Sequence, residues 1–391
     1  MRFSGFDDEW QSCRFDELFD FQVAGDMKKE LFNEEFIDEY KYPLYANALE
    51  NEGLLGYYKE YKYNPNSITV TARGNIGHAT ARKNKFNAVG RLIILTPKED
   101  LNIEFFTEYI NNNVKIYIES TGVPQLTAPS LKINKLHYPT LNEQNKISNL
   151  LIMLNNKIEL LGQKHQLYQY FKKYLMQQIF TQKLRFNFTD DWNYMNFSEI
   201  FKSVSTKKYQ IKSADILDKG DFEVIDQGQD EIAGYFNDKT KLCQELPIII
   251  YGDHTTFVKF RDKPFIVGAD GVKLLIPKFN ANPKYLFYAL EHFNIKPEGY
   301  KRHFSIIKKI KLPIPTLEEQ NEISEIFNYI DIKLKYTKIQ LQETEEFKKG
   351  LLQQMFIVRI NCRCNFKLAK SPSFNKHLLI LKNKIIFIII E

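Results

Sequence analysis

Residues 139–180 read PTLNEQNKISNLLIMLNNKIELLGQKHQLYQYFKKYLMQQIF, and residues 315–356 read PTLEEQNEISEIFNYIDIKLKYTKIQLQETEEFKKGLLQQMF. At this constant offset 17 of 42 positions are identical, several times what chance would give, so the chain is one unit written twice. Each copy opens just after a proline. Thr140 or Thr316 stands as N-cap with Glu143 or Glu319 three residues on, the spacing of a capping box. In the first copy Ile147, Leu150, Leu154, Ile158, Leu161, Tyr168, Phe171 and Leu175 follow a 3–4 rhythm. Ile323, Ile326, Ile330, Leu334, Leu341, Phe347 and Leu351 do so in the second. No proline interrupts either stretch, so each predicts a helix of some forty residues, about 60 Å long. A narrow apolar seam of that length normally wants another helix beside it. The alternative is a helix lying across its own domain. Duplication favours the two helices pairing with each other, antiparallel because a globule intervenes.

Outward from the helices, Asp8, Trp10, Phe15, Glu17 and Phe19 line up with Asp190, Trp192, Phe197, Glu199 and Phe201. The expected fold class is α+β: two mixed α/β globules separated by two long helices that pair as an antiparallel coiled coil, a pseudo-twofold internal repeat. The boundaries are residues 1–138 and 183–314 for the globules, 139–182 and 315–356 for the helices, and 357–391 for a basic tail. Short β-type runs at Ile68 to Val70, Leu92 to Leu95, Pro247 to Ile250 and Val272 to Ile276 give the globules more strand than helix. Their layouts correspond, since Leu44 and Tyr45 lead to Gly56-Tyr57-Tyr58 as Val224 and Ile225 lead to Gly234-Tyr235-Phe236. In each globule a strand then ends in a glycine-polar turn, Gly74-Asn75-Ile76-Gly77 or Gly252-Asp253-His254-Thr255. A shared scaffold with different turn residues suits two readers of two targets.

Charge narrows the partner. The net charge is +6, but residues 357–391 carry Arg359, Arg363, Lys367, Lys370, Lys376, Lys382 and Lys384 against Glu391, which accounts for the whole excess. Basic footprints must therefore be local. One runs from Lys59 to Arg91 and another, with no acid, comprises Lys301, Arg302, Lys308, Lys309 and Lys311. Cys13, Cys243, Cys362 and Cys364 give no complete zinc spacing, and a reduced compartment follows. The start of the chain holds no secretion-type apolar segment. The late apolar run Ile385 to Ile390 is far shorter than the roughly 20 residues of a membrane span, so a soluble, cytoplasmic protein is expected.

Catalytic signatures do not survive inspection. There is no G-x-x-x-x-G-K-[ST] nucleotide loop and no glycine-rich loop placed for a methyl donor. Asn64-Pro65-Asn66 resembles the start of an adenine-methyltransferase motif but lacks the aromatic that should follow. Gly252-Asp253-His254 has no nucleophile elbow to accompany it. The chain therefore reads as non-catalytic, with no cofactor and no metal site of its own. Its polar turns fit DNA reading better. Arginine reaches guanine bidentately, asparagine and glutamine reach adenine, and threonine reaches the thymine methyl group. The first globule offers Thr71, Arg73, Asn75, His78, Arg82 and Lys83, and the second Gln227, Gln229, His254, Thr255, Thr256, Lys259 and Arg261.

At these residues the sequence resembles the specificity subunits of Type I restriction-modification enzymes. The likeness rests on the two P-T-L-x-E-Q-x-x-I-S segments with their FKK-x-L-x-QQ-x-F ends, on Trp10 and Trp192, and on YGDHTTFVKF and GADGVKLL from Tyr251 to Leu275. It covers about residues 5 to 356. It implies two target-recognition domains that each read half of a gapped double-stranded DNA site, with the helices as spacer and docking surface. It implies as partners two copies of a modification (methyltransferase) subunit and restriction subunits. S-adenosylmethionine, ATP and Mg would then sit on those partners, which would carry out adenine N6 methylation and ATP-dependent cleavage. The departure is the tail at 357–391, which lacks the helical rhythm and reads as translation past a stop. It is expected to be disordered and dispensable for assembly. The rival readings are a fused methyltransferase or nuclease, and a coiled-coil scaffold without DNA readout. A half-subunit that dimerises is made unnecessary by the duplication.

Overall fold

The computed structural model describes residues 2–114, 124–268, 270–299 and 301–356. The tail at 357–391 lies outside the described residues. Contacts divide the chain into a first unit, Met1–Leu151 with the chain from Lys349 onward, and a second, Ile152–Lys348. The duplicated segments fold as helices Leu141–Phe180 and Leu317–Met355, each contributing residues to both units.

The second unit is built on an antiparallel sheet in the order Phe201–Val204, Val272–Pro277, Ile248–Gly252, Val258–Arg261. Ile249, Tyr251 and Leu275 pack on one face with Tyr285, Leu286 and Ala289 of the helix Pro283–His292. Ile248, Ile250 and Leu274 pack on the other with Ile225, Phe265 and Val267. A sheet covered on both faces wants apolar residues at consecutive positions, which is why Ile248 to Tyr251 does not alternate. A smaller sheet follows the order Gln210–Ile211, Ile266–Gly268, Phe222–Ile225, Gly234–Phe236.

The first unit repeats the scheme with Phe19–Val23, Ile93–Pro97, Ser67–Val70 and Ala79–Arg82, all antiparallel. Its smaller sheet runs Phe32–Asn33, Leu54–Tyr58, Tyr42–Tyr45, Asn87–Ala88. Three strands of the small sheet are common to both units, and the fourth is added on opposite edges. Leu44 pairs with Gly56 as Val224 pairs with Gly234. The glycines are required by close approach: a Cβ on Gly56 would stand 2.6 Å from the Asn33 carbonyl oxygen, and one on Gly234 would stand 2.7 Å from that of Leu217.

Within the second unit the helices pair antiparallel. Phe180 stacks on Phe327 with centroids 6.2 Å apart, Lys172 Nζ lies 2.9 Å from Asp331 Oδ1, and His165 Nδ1 lies 3.0 Å from Thr337 Oγ1. The seam is less apolar than its rhythm suggested. Phe171, expected inside, is 50% exposed, and the neighbouring Lys172 turns inward to Glu291 and Asp331. Desolvation opposes the charge on Lys172, but the two carboxylates prevail and raise its pKa. A polar contact at His165–Thr337 opposes sliding of one helix past the other.

The capping-box expectation is corrected at both helix starts. Thr316 Oγ1 accepts from Glu319 N at 3.4 Å, but the Glu319 carboxylate does not turn back to the cap. It is 1% exposed and accepts from Arg185 Nε at 3.1 Å, Arg185 Nη2 at 2.8 Å and Trp192 Nε1 at 2.9 Å. Glu143, equally buried, accepts from Arg2 Nε at 2.9 Å and from Arg2 Nη2 at 2.5 Å. The adjacent glutamines repeat as closely. Gln144 Nε2 donates to Pro139 O at 2.9 Å while its Oε1 accepts from Asn102 N at 3.0 Å; Gln320 makes the same bonds with Pro315 O and Asn282 N, each 2.9 Å. The repeated Glu-Gln pair thus fastens each globule to a helix start.

Candidate nucleic-acid interface

In the first unit the turn joining Ser67–Val70 to Ala79–Arg82 is closed from within. Thr71 Oγ1 donates to Asn75 O and accepts from His78 N at 2.9 Å, and the side chain is buried. Arg82 is 4% exposed. Its guanidinium lies 3.5 Å from the Tyr45 ring centroid, donates to Thr69 Oγ1 at 2.9 Å and Glu52 O at 2.7 Å, and burial pushes its pKa down. Neither Thr71 nor Arg82 is therefore presented outward; both are spent inside the fold. Arg73, Asn75, His78 and Lys83 are exposed. Arg73 Nη2 reaches Gln125 Oε1 at 3.5 Å, and Lys83 pairs with Glu104. The His78 ring pKa is lowered, first by desolvation on its protein-facing side and then by the Arg82 charge.

The second turn, after Ile248–Gly252, is braced by Gln227. Its Oε1 accepts from His254 N at 3.0 Å, its Nε2 donates to Asp270 O at 3.0 Å, and its carbonyl accepts from the Thr255 hydroxyl. Thr256 is buried with φ of 62°, and its carbonyl accepts from Asn294 Nδ2 at 2.6 Å. Lys259 donates to the carbonyls of Asp226 at 3.0 Å and Asp230 at 2.5 Å, and burial lowers its pKa. Arg261 Nη2 donates to Glu231 O at 2.6 Å. Gln227, Thr256, Lys259 and Arg261 hold the turn and its flanking loop, leaving Gln229 exposed and His254 and Thr255 half-buried at the turn.

Sequence reading missed Asn47. It follows Leu44 by three residues as Gln227 follows Val224, and it performs the same task. Asn47 Oδ1 accepts from Ala72 N at 2.7 Å and Arg73 N at 3.3 Å, and Nδ2 donates to Gly90 O at 2.5 Å. The offset already used for the strands would have found it. Each unit therefore presents one hairpin turn, held by an amide two residues past a strand of the small sheet, with different side chains around it. Among the described residues no group of acidic, histidine and cysteine side chains could hold a metal ion, and no helix is long and apolar enough to cross a membrane.

Comparison with known proteins meets this geometry. The sequence model of the family described as Type I restriction modification DNA specificity domain matches residues 7–167 and 189–346, once per repeat. A type I specificity subunit sequence from Mycoplasma pneumoniae is 32% identical over 173 residues, 41% of this chain and 47% of the relative. A second from the same organism is 32% identical over 129 residues, 33% of this chain and 38% of the relative. The chain thus spans about half the length, or less, of these two relatives. A crystal structure of a Type-I restriction-modification system S subunit from M. genitalium superposes with a TM-score of 0.68 at 18% identity, covering 90% of this chain and 97% of that one. At that identity the likeness establishes the fold. With both repeats matched over most of their length, the chain belongs to the Type I restriction modification DNA specificity domain family.

Proposed function

We propose that the chain is the non-catalytic specificity subunit of a cytoplasmic Type I restriction-modification complex, reading a two-part gapped DNA site for partners that carry the chemistry. The observation that carries this reading is the pair of hairpin turns. Each is braced by an amide at the same place, Asn47 or Gln227, yet one presents Arg73, Asn75 and His78, while the other carries the half-buried His254 with the exposed Gln229 on the flanking loop. Equal frames with unequal donors and acceptors are what direct readout of two different half-sites requires. Lysines such as Lys83 would meet phosphates. Methylation of adenine with S-adenosylmethionine, and cleavage with ATP and Mg, belong to two modification subunits and to restriction subunits in this reading.

The helices support docking of such partners. Leu167, Tyr170, Phe171 and Tyr174 are each at least 50% exposed, and Tyr329, Ile332 and Tyr336 at least 56%. Bare aromatic rows of this kind mark a protein-binding face more often than a solvated one. The test is co-expression with the modification subunit encoded beside it, followed by mapping of methylated adenines. A two-part site with a fixed gap, altered in one half when residues 60–90 are exchanged, is the expected result. Methylation at a single undivided site, or no change on exchange, would overturn the reading.

A further inference from the structure

The acid-free basic run from Lys301 to Lys311 has no role in the turns themselves, yet it is fastened to one. His303 is fully buried. Its backbone N–H donates to Asp253 O at 2.7 Å, its Nδ1 lies 3.1 Å from the same oxygen, and its Nε2 accepts from Glu298 N at 3.0 Å. Asp253 Oδ1 accepts from Phe304 N at 2.8 Å, and Asn294 Nδ2 donates to Thr256 O at 2.6 Å. Both ends of the loop between Asn294 and Phe304 are thereby tied to the turn Gly252–Phe257. Asp253 is 3% exposed and its Oδ2 lies 3.5 Å from Lys273 Nζ, so its charge is met inside the turn. Lys273 and Lys308 lie over the Phe304 ring, 5.6 Å and 4.7 Å from its centroid. Lys301 pairs with Glu298, but Arg302, Lys308 and Lys309 are exposed and, among the described residues, form no ion pair.

We infer that Arg302 and Lys308, with Lys273 and Lys309 beside them, form a phosphate clamp for duplex DNA, held in step with the second reading turn by Asp253 and His303. This rests on the proposed function and adds the contact that sets the turn's position. A turn that reaches base edges has backbone phosphates on either side of it. Contacts to those phosphates fix register and carry no sequence information. A loop tied to the turn at both ends transmits that register without a hinge.

The test uses the full chain and two unrelated duplexes, with affinity measured from 0.1 M to 1 M salt for wild type, for R302A/K308A, and for K219A/K239A, a pair of exposed lysines elsewhere in the same globule. Two lost phosphate contacts should flatten the slope of log K against log[salt] by about 1.8, which is about 60-fold weaker binding at 0.1 M converging at 1 M. The loss should be equal on both duplexes, with the control pair and the melting temperature unchanged. A steep wild-type slope that R302A/K308A leaves intact would sink the clamp and spare the proposed function, as would a loss confined to one duplex. Absence of any salt-dependent binding by wild type would overturn both.

Discussion

Replacing Glu319 by glutamine preserves the shape of a 1% exposed side chain and removes its charge. Three donors converge on the carboxylate: Arg185 Nε on Oε1, and Arg185 Nη2 and Trp192 Nε1 on Oε2. A carboxamide has one acceptor oxygen and two donor hydrogens. With its oxygen in the Oε2 place it keeps Trp192 and one arm of Arg185 and turns its NH2 against Arg185 Nε. One charge-assisted bond is then lost outright, about 1.5–3 kcal/mol. Breaking a fully buried pair costs about 3–5 kcal/mol, but Arg185 keeps 18% exposure and can recover water, so about 2 kcal/mol is expected. The chain has two tryptophans, Trp10 in the first unit and Trp192 in the second. In a W10F background the remaining indole reports the second unit, and with a urea slope of about 2 kcal/mol per molar the midpoint should fall by about 1 M. Glu318→Gln, the exposed neighbour, should stay within about 0.5 kcal/mol of its parent. If E319Q moved the midpoint no more than E318Q does, the buried carboxylate would not be the fastening described above.

Gln227→Ala removes the bonds to His254 N and Asp270 O and should lower stability by about 1–2 kcal/mol, whereas Gln229→Ala, two residues on and exposed, should change it by less than about 0.5 kcal/mol. Thermal melts of the two variants check this, and equal losses would contradict the bracing role. His292 stacks on Phe180 at 4.9 Å, and burial lowers its pKa. Its unfolded pKa of about 6.5 is therefore the higher, so its contribution is whole above that pH and is lost as pH falls toward the folded value. H292F should lose less melting temperature than wild type between pH 7 and pH 5.5; an identical drop in both proteins would reject the assignment.

The long helices were legible because a repeated N-cap and an unbroken apolar rhythm over forty residues leave no other regular structure open. The globules were legible because duplication let one interpret the other, down to the Leu44–Gly56 and Val224–Gly234 pairs. The role of Glu143 and Glu319 was not. A carboxylate three residues past a threonine has the same spacing whether it caps its helix or turns to an arginine over a hundred residues away. Phe171 and Lys172 exchanged places for a related reason, since carboxylates at Glu291 and Asp331 outweigh the cost of turning a lysine inward.

The candidate site divided along the same line. Threonine, glutamine, asparagine and arginine suit base edges because they donate and accept at fixed angles, and that property also makes them good braces for a turn. Composition therefore could not separate Thr71, Arg82, Gln227, Thr256, Lys259 and Arg261, which are buried or half-buried and bonded within the fold, from Arg73, Asn75, His78 and Gln229, which are exposed. Burial separates them, and it does so at matching places in the two units. Because the brace comes from the loop after a small-sheet strand, while Arg73, Asn75 and His78 come from the hairpin of the first unit, the brace and those residues can change separately. Asn47 and Gln227 differ by one methylene and still hold their turns, while the outward residues share no pattern. A frame built in this way can be repeated within one chain and keep its stability while the two copies read different partners.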